Sequence, residues 1–326
     1  LVPMLRDRAG ETEAARCMLD EVERAIHESG LFRLMQPRRI GGYEMDHRML
    51  IDVGAILARG CPSSAWVYSN LAIHASMLGY FDGRAQGDVW DASVDALICM
   101  SVIYRAGRAT KVDGGYVLSG KWPFCSGIDN SQWHMVAAIV AGEEQDAGEE
   151  NRLFLVPQTD YTILDTWDAM GLAGTGSHDV AMQDVFVPDH RTLAEPQTRG
   201  GEAPGNALNP GPLFRLPMQA ISSTAMGGVG LGTAQGAWNE FVAETRARTS
   251  SYSGQRVAGL QNLQTRIADA GARIDAAELI LRTNAGEAMA IAEAGGLPDT
   301  DTKVRWRRDC AFAIASCREA VNLLFT

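Results

Sequence analysis

Apolar residues recur at close to helical spacing through the first stretch of the chain. From Glu11 to Ser29 they fall at Ala15, Met18, Leu19, Val22 and Ile26, which predicts one helix stopped by Gly30. Asp46 is placed to cap a second helix with Met49, Val53, Ile56 and Leu57 on its inner face. Pro62-Ser63-Ser64 opens a third, running through Trp66 to Tyr80; Asp82-Gly83 ends it before a short helix near Ala85 to Trp90. Beyond that point the period falls to two. Asp113-Gly114-Gly115 reads as a turn between strand edges, and Trp133 to Val140, Leu153 to Pro157, Tyr161 to Leu164 and Val180 to Val187 read as strands. The acidic stretch Gly142 to Asn151 reads as an exposed hairpin tip, and the Gly-, Pro- and Asn-rich segment 194–212 as a mobile connection. Helical spacing then returns. Ile267, Ile274 and Leu281 lie seven apart with Ala270 and Ala277 between them, and Lys303 to Phe325 forms another long helix. The pattern predicts an α+β chain in three units: a helical domain over 1–97, an antiparallel sheet domain over 98–193, and a helical bundle over 205–326. The start at Leu1 and the stop at Thr326, straight after the apolar run Ala320 to Phe325, read as clipped ends.

Composition narrows the class. With 326 residues and 46% apolar content the chain can bury a sizeable core. A net charge of −11 argues against nucleic acid as a partner, because phosphate binding needs a basic footprint. No run of about 18 uncharged apolar residues exists, so no membrane partner is expected. Six cysteines, at 17, 61, 99, 125, 310 and 317, form no C-x-x-C pair and read as reduced, mostly buried thiols of a cytoplasmic protein. His27, His47, His134, His178 and His190 have no metal spacing, and no metal site is expected.

Two stretches carry candidate chemistry. Leu118-Ser119-Gly120-Lys121-Trp122-Pro123-Phe124-Cys125-Ser126-Gly127 joins a strand to a loop rich in aromatics and small polar residues. Phe124 could offer an apolar face to a flat ring such as isoalloxazine and Ser126 a hydroxyl at its edge; an ordinary strand end with core aromatics fits the same residues. Met170-Gly171-Leu172-Ala173-Gly174-Thr175-Gly176-Ser177-His178-Asp179-Val180 is a glycine-rich turn entering a strand. Its backbone N–H groups and hydroxyls could hold a ring edge or a phosphate, or it could be a plain loop. It is neither a P-loop nor a G-x-G-x-x-G entering a helix.

The helix–sheet–helix order, these two motifs, and Val187-Pro188 closing the second strand resemble the acyl-CoA dehydrogenase fold. They are more closely similar to its monooxygenase branch, the oxygenase components of two-component flavin-dependent aromatic hydroxylases such as the 4-hydroxyphenylacetate and secosteroid phenol hydroxylases. The likeness extends from Leu31 to Leu324. Cys61-Pro62-Ser63-Ser64-Ala65-Trp66, with His74 eight residues past the Trp, matches a Trp and a His that line the flavin and substrate pocket in that branch. Phe124-Cys125-Ser126-Gly127 stands where the dehydrogenases show a Trp-Ile-Thr-Asn-like run. No Asp or Glu occurs between Glu202 and Glu240, where one dehydrogenase subgroup keeps its base.

The resemblance implies a fold with an N-terminal helical domain, a central β domain and a C-terminal four-helix bundle. It implies hydroxylation of a small aromatic, phenolic substrate by O2 and reduced flavin, FMNH2 or FADH2, through a C4a-hydroperoxide. The flavin would diffuse from a separate NAD(P)H-dependent reductase, and the enzyme would be a homotetramer. His74, Ser126 and Ser101 are the implied catalytic residues, with Ser126 facing flavin N5. Trp66, Trp122, Phe124, Cys125, Ser126, Gly127 and Ser177 are implied cofactor contacts. Arg248 or Arg256, with Arg246 as a further choice, would meet the flavin phosphate from a neighbouring subunit. An acyl-CoA dehydrogenase or oxidase, an oxygenase acting on nitrogen or sulfur, and a catalytically dead scaffold are the alternatives.

Overall fold

The computed structural model describes residues 1–141, 149–249, 251, 254 and 256–325. Of the expected hairpin tip Gly142 to Asn151, residues 142–148 lie outside them, and Glu150 and Asn151 are the start of a strand. Five helices come first: α1 (Val2–Ala15), α2 (Asp20–Glu28), α3 (Arg48–Ala58), α4 (Pro62–Leu78) and α5 (Gly83–Trp90). Eight strands follow: β1 (Ile98–Ser101), β2 (Gly107–Val112), β3 (Gly115–Cys125), β4 (Trp133–Val140), β5 (Glu150–Pro157), β6 (Thr162–Leu164), β7 (His178–Pro188) and β8 (Thr192–Ala194). Three long helices close the described chain: α6 (Met218–Ala247), α7 (Gln261–Glu293) and α8 (Thr300–Phe325).

The one helix expected over Glu11 to Ser29 is two. Arg16 adopts left-handed backbone, φ 57°, and its guanidinium leaves the helix to meet the Trp167 carbonyl at 2.9 Å and Asp165 at 2.7 Å. Gly30, at φ 75°, stops the second helix as its sequence predicts. In α3 the buried residues are Leu50, Ile51, Ala55, Leu57 and Ala58, while Ile56 is exposed. The inner face is rotated from the expected one because α3 packs on two sides, against α4 and α6, through its small residues Gly54 and Ala55. Pro62 at the first turn starts α4. That helix is buried nearly all round, which makes it a central helix rather than a surface one.

The sheet runs β6-β7-β3-β2-β4-β5-β8, with β1 added beside β4. Most pairs are antiparallel; β1 and β2 both lie parallel to β4. Asp113 and Gly114 turn β2 into β3, with Val112 opposite Gly115. The segment expected to be a mobile connection is pinned instead: Asn209 is buried and donates to the Gly79 carbonyl at 2.8 Å, and the Gly205 amide donates to Tyr80. In the C-terminal part Ala270, Ile274, Ala277 and Leu281 of α7 are buried against α6 and α8, the close packing that the small residues allow.

Candidate active site

The end of β3 decides the geometry of the site. In a regular strand Trp122 and Phe124 would share a face. A register shift against β7 between Trp122 and Cys125 breaks that alternation, and Phe124 takes left-handed backbone at φ 60°. Trp122 and Cys125 therefore turn inward while Phe124 turns out, 65% exposed. This corrects two expectations. The Trp122 indole is sealed in the sheet core, where its Nε1 donates to the Ala137 carbonyl at 2.7 Å, so it cannot touch a cofactor. The Cys125 side chain is buried too, donating to the Trp122 carbonyl at 3.3 Å. Beside it, Cys99 donates to the Ser126 carbonyl at 3.3 Å. Burial pushes the Cys99 thiol up, and the neighbouring Cys99 side chain draws Cys125 down.

Gly127 follows at φ 74°, where a side chain would be strained and its Cβ would stand 2.8 Å from Val67. This lets α4 come down onto the loop. The indole Nε1 of Trp66 on α4 donates to Ser126 Oγ at 3.1 Å. Ser126 Oγ lies 2.7 Å from Ser177 Oγ, which lies 2.7 Å from Thr175 Oγ1. Thr175 Oγ1 donates to the Leu172 carbonyl at 2.9 Å. Trp66, Ser126 and Ser177 are thus brought together. The Gly127 amide, donating to the Thr175 carbonyl at 2.9 Å, ties the two loops to each other.

The amides of Ala173 to Gly176 in the glycine-rich turn are occupied, which favours the plain-loop reading over a ring edge or phosphate held by these groups. Ala173 and Gly174 donate to the Glu13 carboxylate at 3.2 and 3.4 Å, and Ser63 Oγ donates to it at 2.5 Å. Thr175 and Gly176 donate within the turn. Glu13 was invisible in the sequence because it reaches this turn from 160 residues away.

His74 sits about two turns along α4 from Trp66. It is buried, and its Nδ1 lies 2.8 Å from the Ile98 carbonyl, so Nδ1 carries the hydrogen and Nε2 a lone pair. Burial pulls its pKa down to about 4, which keeps it neutral near pH 7. Ser101 is buried at the end of β1, with Oγ 3.5 Å from the Pro123 carbonyl. Ser101 therefore borders the loop that carries Ser126, His74 is held against β1 at Ile98, and neither joins the hydroxyl chain. One apolar neighbour went unnoticed in the sequence. Trp167 meets Phe124 edge to face with ring centroids 6.3 Å apart, while Met170, which opens the glycine-rich stretch, is fully exposed. The place of Trp167 just before that stretch was the available signal.

Arg246, Arg248 and Arg256 are exposed around the far end of α6. Met226 of the same helix touches Asn70, one turn from Trp66. Arg248 is 22 residues further on, about 33 Å along the axis, so within one chain it does not join the cluster.

A left-handed, exposed Phe stores about 1–3 kcal/mol of strain and persists only where its surroundings enforce it. Here it forms, with the edge of Trp167, an apolar shelf two residues from the Ser126 hydroxyl. The chemistry of that shelf suits a flat, apolar ring that also hydrogen-bonds.

Residues 224–326 match the family model described as acyl-CoA dehydrogenase, C-terminal domain. The chain is 34% identical over its whole length, and over 85% of the relative's, to the flavin-dependent monooxygenase oxygenase subunit HsaA of Rhodococcus jostii strain RHA1. It is 35% identical to the FADH(2)-dependent resorcinol hydroxylase, oxygenase component, of Rhizobium sp. strain MTP-10005, across 98% of this chain and 80% of that one. The crystal structure of 3-HSA hydroxylase from Rhodococcus sp. RHA1 superposes with a TM-score of 0.95 at 34% identity, covering 100% of this chain and 83% of that one.

Proposed function

The chain belongs to the oxygenase components of the flavin-dependent monooxygenases with the acyl-CoA dehydrogenase fold, and from that premise we propose that it hydroxylates a small phenol. It is an oxidoreductase that works with reduced flavin supplied by a separate reductase component. The observation that carries the reading is the exposed, left-handed Phe124 with the Ser126 hydroxyl at its edge.

Bound reduced flavin supplies the electrons with which dioxygen is divided between hydroxylated product and water. The protein supplies the rest. Phe124 and Trp66 would hold the ring, and Gly127, by letting α4 pack close, sets Trp66 over the loop. Ser126 Oγ, held by Trp66 and Ser177, would meet the flavin at N5. His74, neutral and donating from Nδ1, offers Nε2 to a phenol hydroxyl and makes the ring carbon beside it more nucleophilic. Ser101, on the neighbouring strand, orients the substrate. The relatives that support a phenol are the resorcinol hydroxylase and the p-hydroxyphenylacetate 3-hydroxylase of Acinetobacter baumannii.

The reductase delivers the flavin by diffusion, and FMN and FAD are both candidates. A homotetramer is supported by the exposed apolar residues Leu279, Val304 and Phe312 on α7 and α8. Free cysteines support a cytoplasmic location; among the described residues no helix is long and apolar enough to cross a membrane. The units 1–97, 98–193 and 205–326 act as three domains, with the site where the first meets the second.

The test is a coupled assay with an NADH-driven flavin reductase, FMN or FAD, and resorcinol, 4-hydroxyphenylacetate and other simple phenols. Hydroxylated product and hydrogen peroxide are measured together. Product formed with little peroxide is expected for at least one phenol. Complete diversion of electrons to peroxide with every phenol overturns the reading.

A further inference from the structure

The hydroxyl chain at the site has a fixed direction, which follows from counting hydrogens. Each hydroxyl has one to donate. Thr175 Oγ1 lies 2.9 Å from the Leu172 carbonyl, which can only accept, so Thr175 spends its hydrogen there. Its contact with Ser177 at 2.7 Å must then be a donation from Ser177. Ser177 has nothing left to give, so its 2.7 Å contact with Ser126 is a donation from Ser126. Trp66 Nε1, a donor only, completes the order at the other end. Every hydrogen points from α4 toward Leu172. That carbonyl is a strong terminus: it also receives the Thr175 amide at 3.2 Å and Trp167 Nε1 at 3.1 Å. Thr175 and Ser177 are both buried, so water does not compete for their hydrogens.

The consequence falls on Ser126. Its hydrogen is committed to Ser177, so toward anything docked on the Phe124 shelf it can only accept. Reduced flavin carries a hydrogen on N5 and can donate to it; oxidised flavin has only a lone pair there, and two acceptors face each other without a proton between them. We propose that Thr175, acting through Ser177, sets Ser126 as an acceptor and thereby makes the site select reduced flavin over oxidised flavin. This deepens the reading above and rests on its placement of Ser126 at N5. Thr175 is a specificity-determining residue that touches neither cofactor nor substrate.

The experiment measures dissociation constants of oxidised and photoreduced FMN and FAD by anaerobic ultrafiltration. The wild-type protein binds the reduced form more tightly, by roughly 10- to 100-fold for one hydrogen bond made against one left unmade. Thr175→Val removes the acceptor that fixes the chain, frees the Ser126 hydrogen to turn toward N5, and narrows the ratio toward one. Thr175→Ser restores it. Ser177→Ala narrows it as well, and it decides the matter if the valine variant does not fold. The midpoint potential of bound flavin falls in step in both narrowing variants, a change that loosened packing alone would not produce. A folded Thr175→Val or Ser177→Ala protein with an unchanged ratio overturns the proposal while leaving the flavin site in place. Equal affinity of the wild type for both forms overturns it too. Wild-type protein that binds neither form overturns the flavin reading and this inference with it.

Discussion

At Phe124 a large apolar side chain is exposed on left-handed backbone, and strain and use oppose each other there. Phe124→Gly should relieve about 1 kcal/mol of backbone strain and leave the flavin-free protein at least as stable, while weakening reduced-flavin binding. Thermal melting without flavin and anaerobic titration with it separate the two effects. Ser126→Ala leaves Trp66 Nε1 without its acceptor, while Ser177 keeps Thr175, and it removes the hydroxyl proposed to meet flavin N5. It should raise the fraction of electrons lost to peroxide by roughly tenfold, as expected for one hydrogen bond in a buried setting. An unchanged peroxide yield would remove Ser126 from the chemistry. Two buried histidines bear on pH. His47 and His74 are both drawn by burial from 6.5 down to about 4. The unfolded chain therefore binds more protons than the folded one between those values, so stability falls as pH drops below about 6.5. Each should cost about 2 kcal/mol between pH 6.5 and 5. Urea unfolding at the two pH values measures this, and His47→Gln should halve the slope.

At the scale of elements, the periodicities found most helices and strands because each rests on local spacing and local punctuation: Pro62, Asp82-Gly83 and Asp113-Gly114. What the sequence concealed depends on partners far along the chain. Arg16 breaks a helix to reach 165 and 167, the bulge at Phe124 is a mismatch with β7, and the turn at 172–176 is filled by Glu13. For the same reason Phe124 and Ser126 stood out as candidates, while the inward turn of Trp122 just before them did not. The clamp by Glu13 is testable. Glu13→Ala should free the Ala173 and Gly174 amides and speed their hydrogen exchange by roughly tenfold, about 1 kcal/mol, since the carboxylate is partly exposed. Unchanged exchange would mean the turn holds itself. The contact of α6 with α3 is a harder constraint. A Cβ at Gly232 would stand 2.0 Å from the Ala55 carbonyl, so Gly232→Ala should push the helices apart and destabilise by about 1–3 kcal/mol.

At the scale of the molecule, the arginines and the apolar bundle surface point to the same need. Arg248 lies about 33 Å along α6 from Met226, which touches Asn70 one turn from Trp66, so within one chain it stands far from the Trp66–Ser126 cluster. A second copy could bring it, or Arg256, to the phosphate. The outer sides of α7 and α8 leave Leu279, Val304 and Phe312 exposed on a chain whose net charge of −11 would otherwise keep copies apart. Burying those side chains between copies would give an attraction able to offset this repulsion. Leu279→Glu with Phe312→Asp should therefore dissociate the assembly, read as a fall in mass by light scattering with the helical circular dichroism retained. If the phosphate is met across the interface, the dissociated protein also loses flavin affinity, and Arg256→Ala or Arg248→Ala does the same without changing the mass. A wild type that is already monomeric, or a dissociated variant that binds reduced flavin as before, would confine the whole site to one chain.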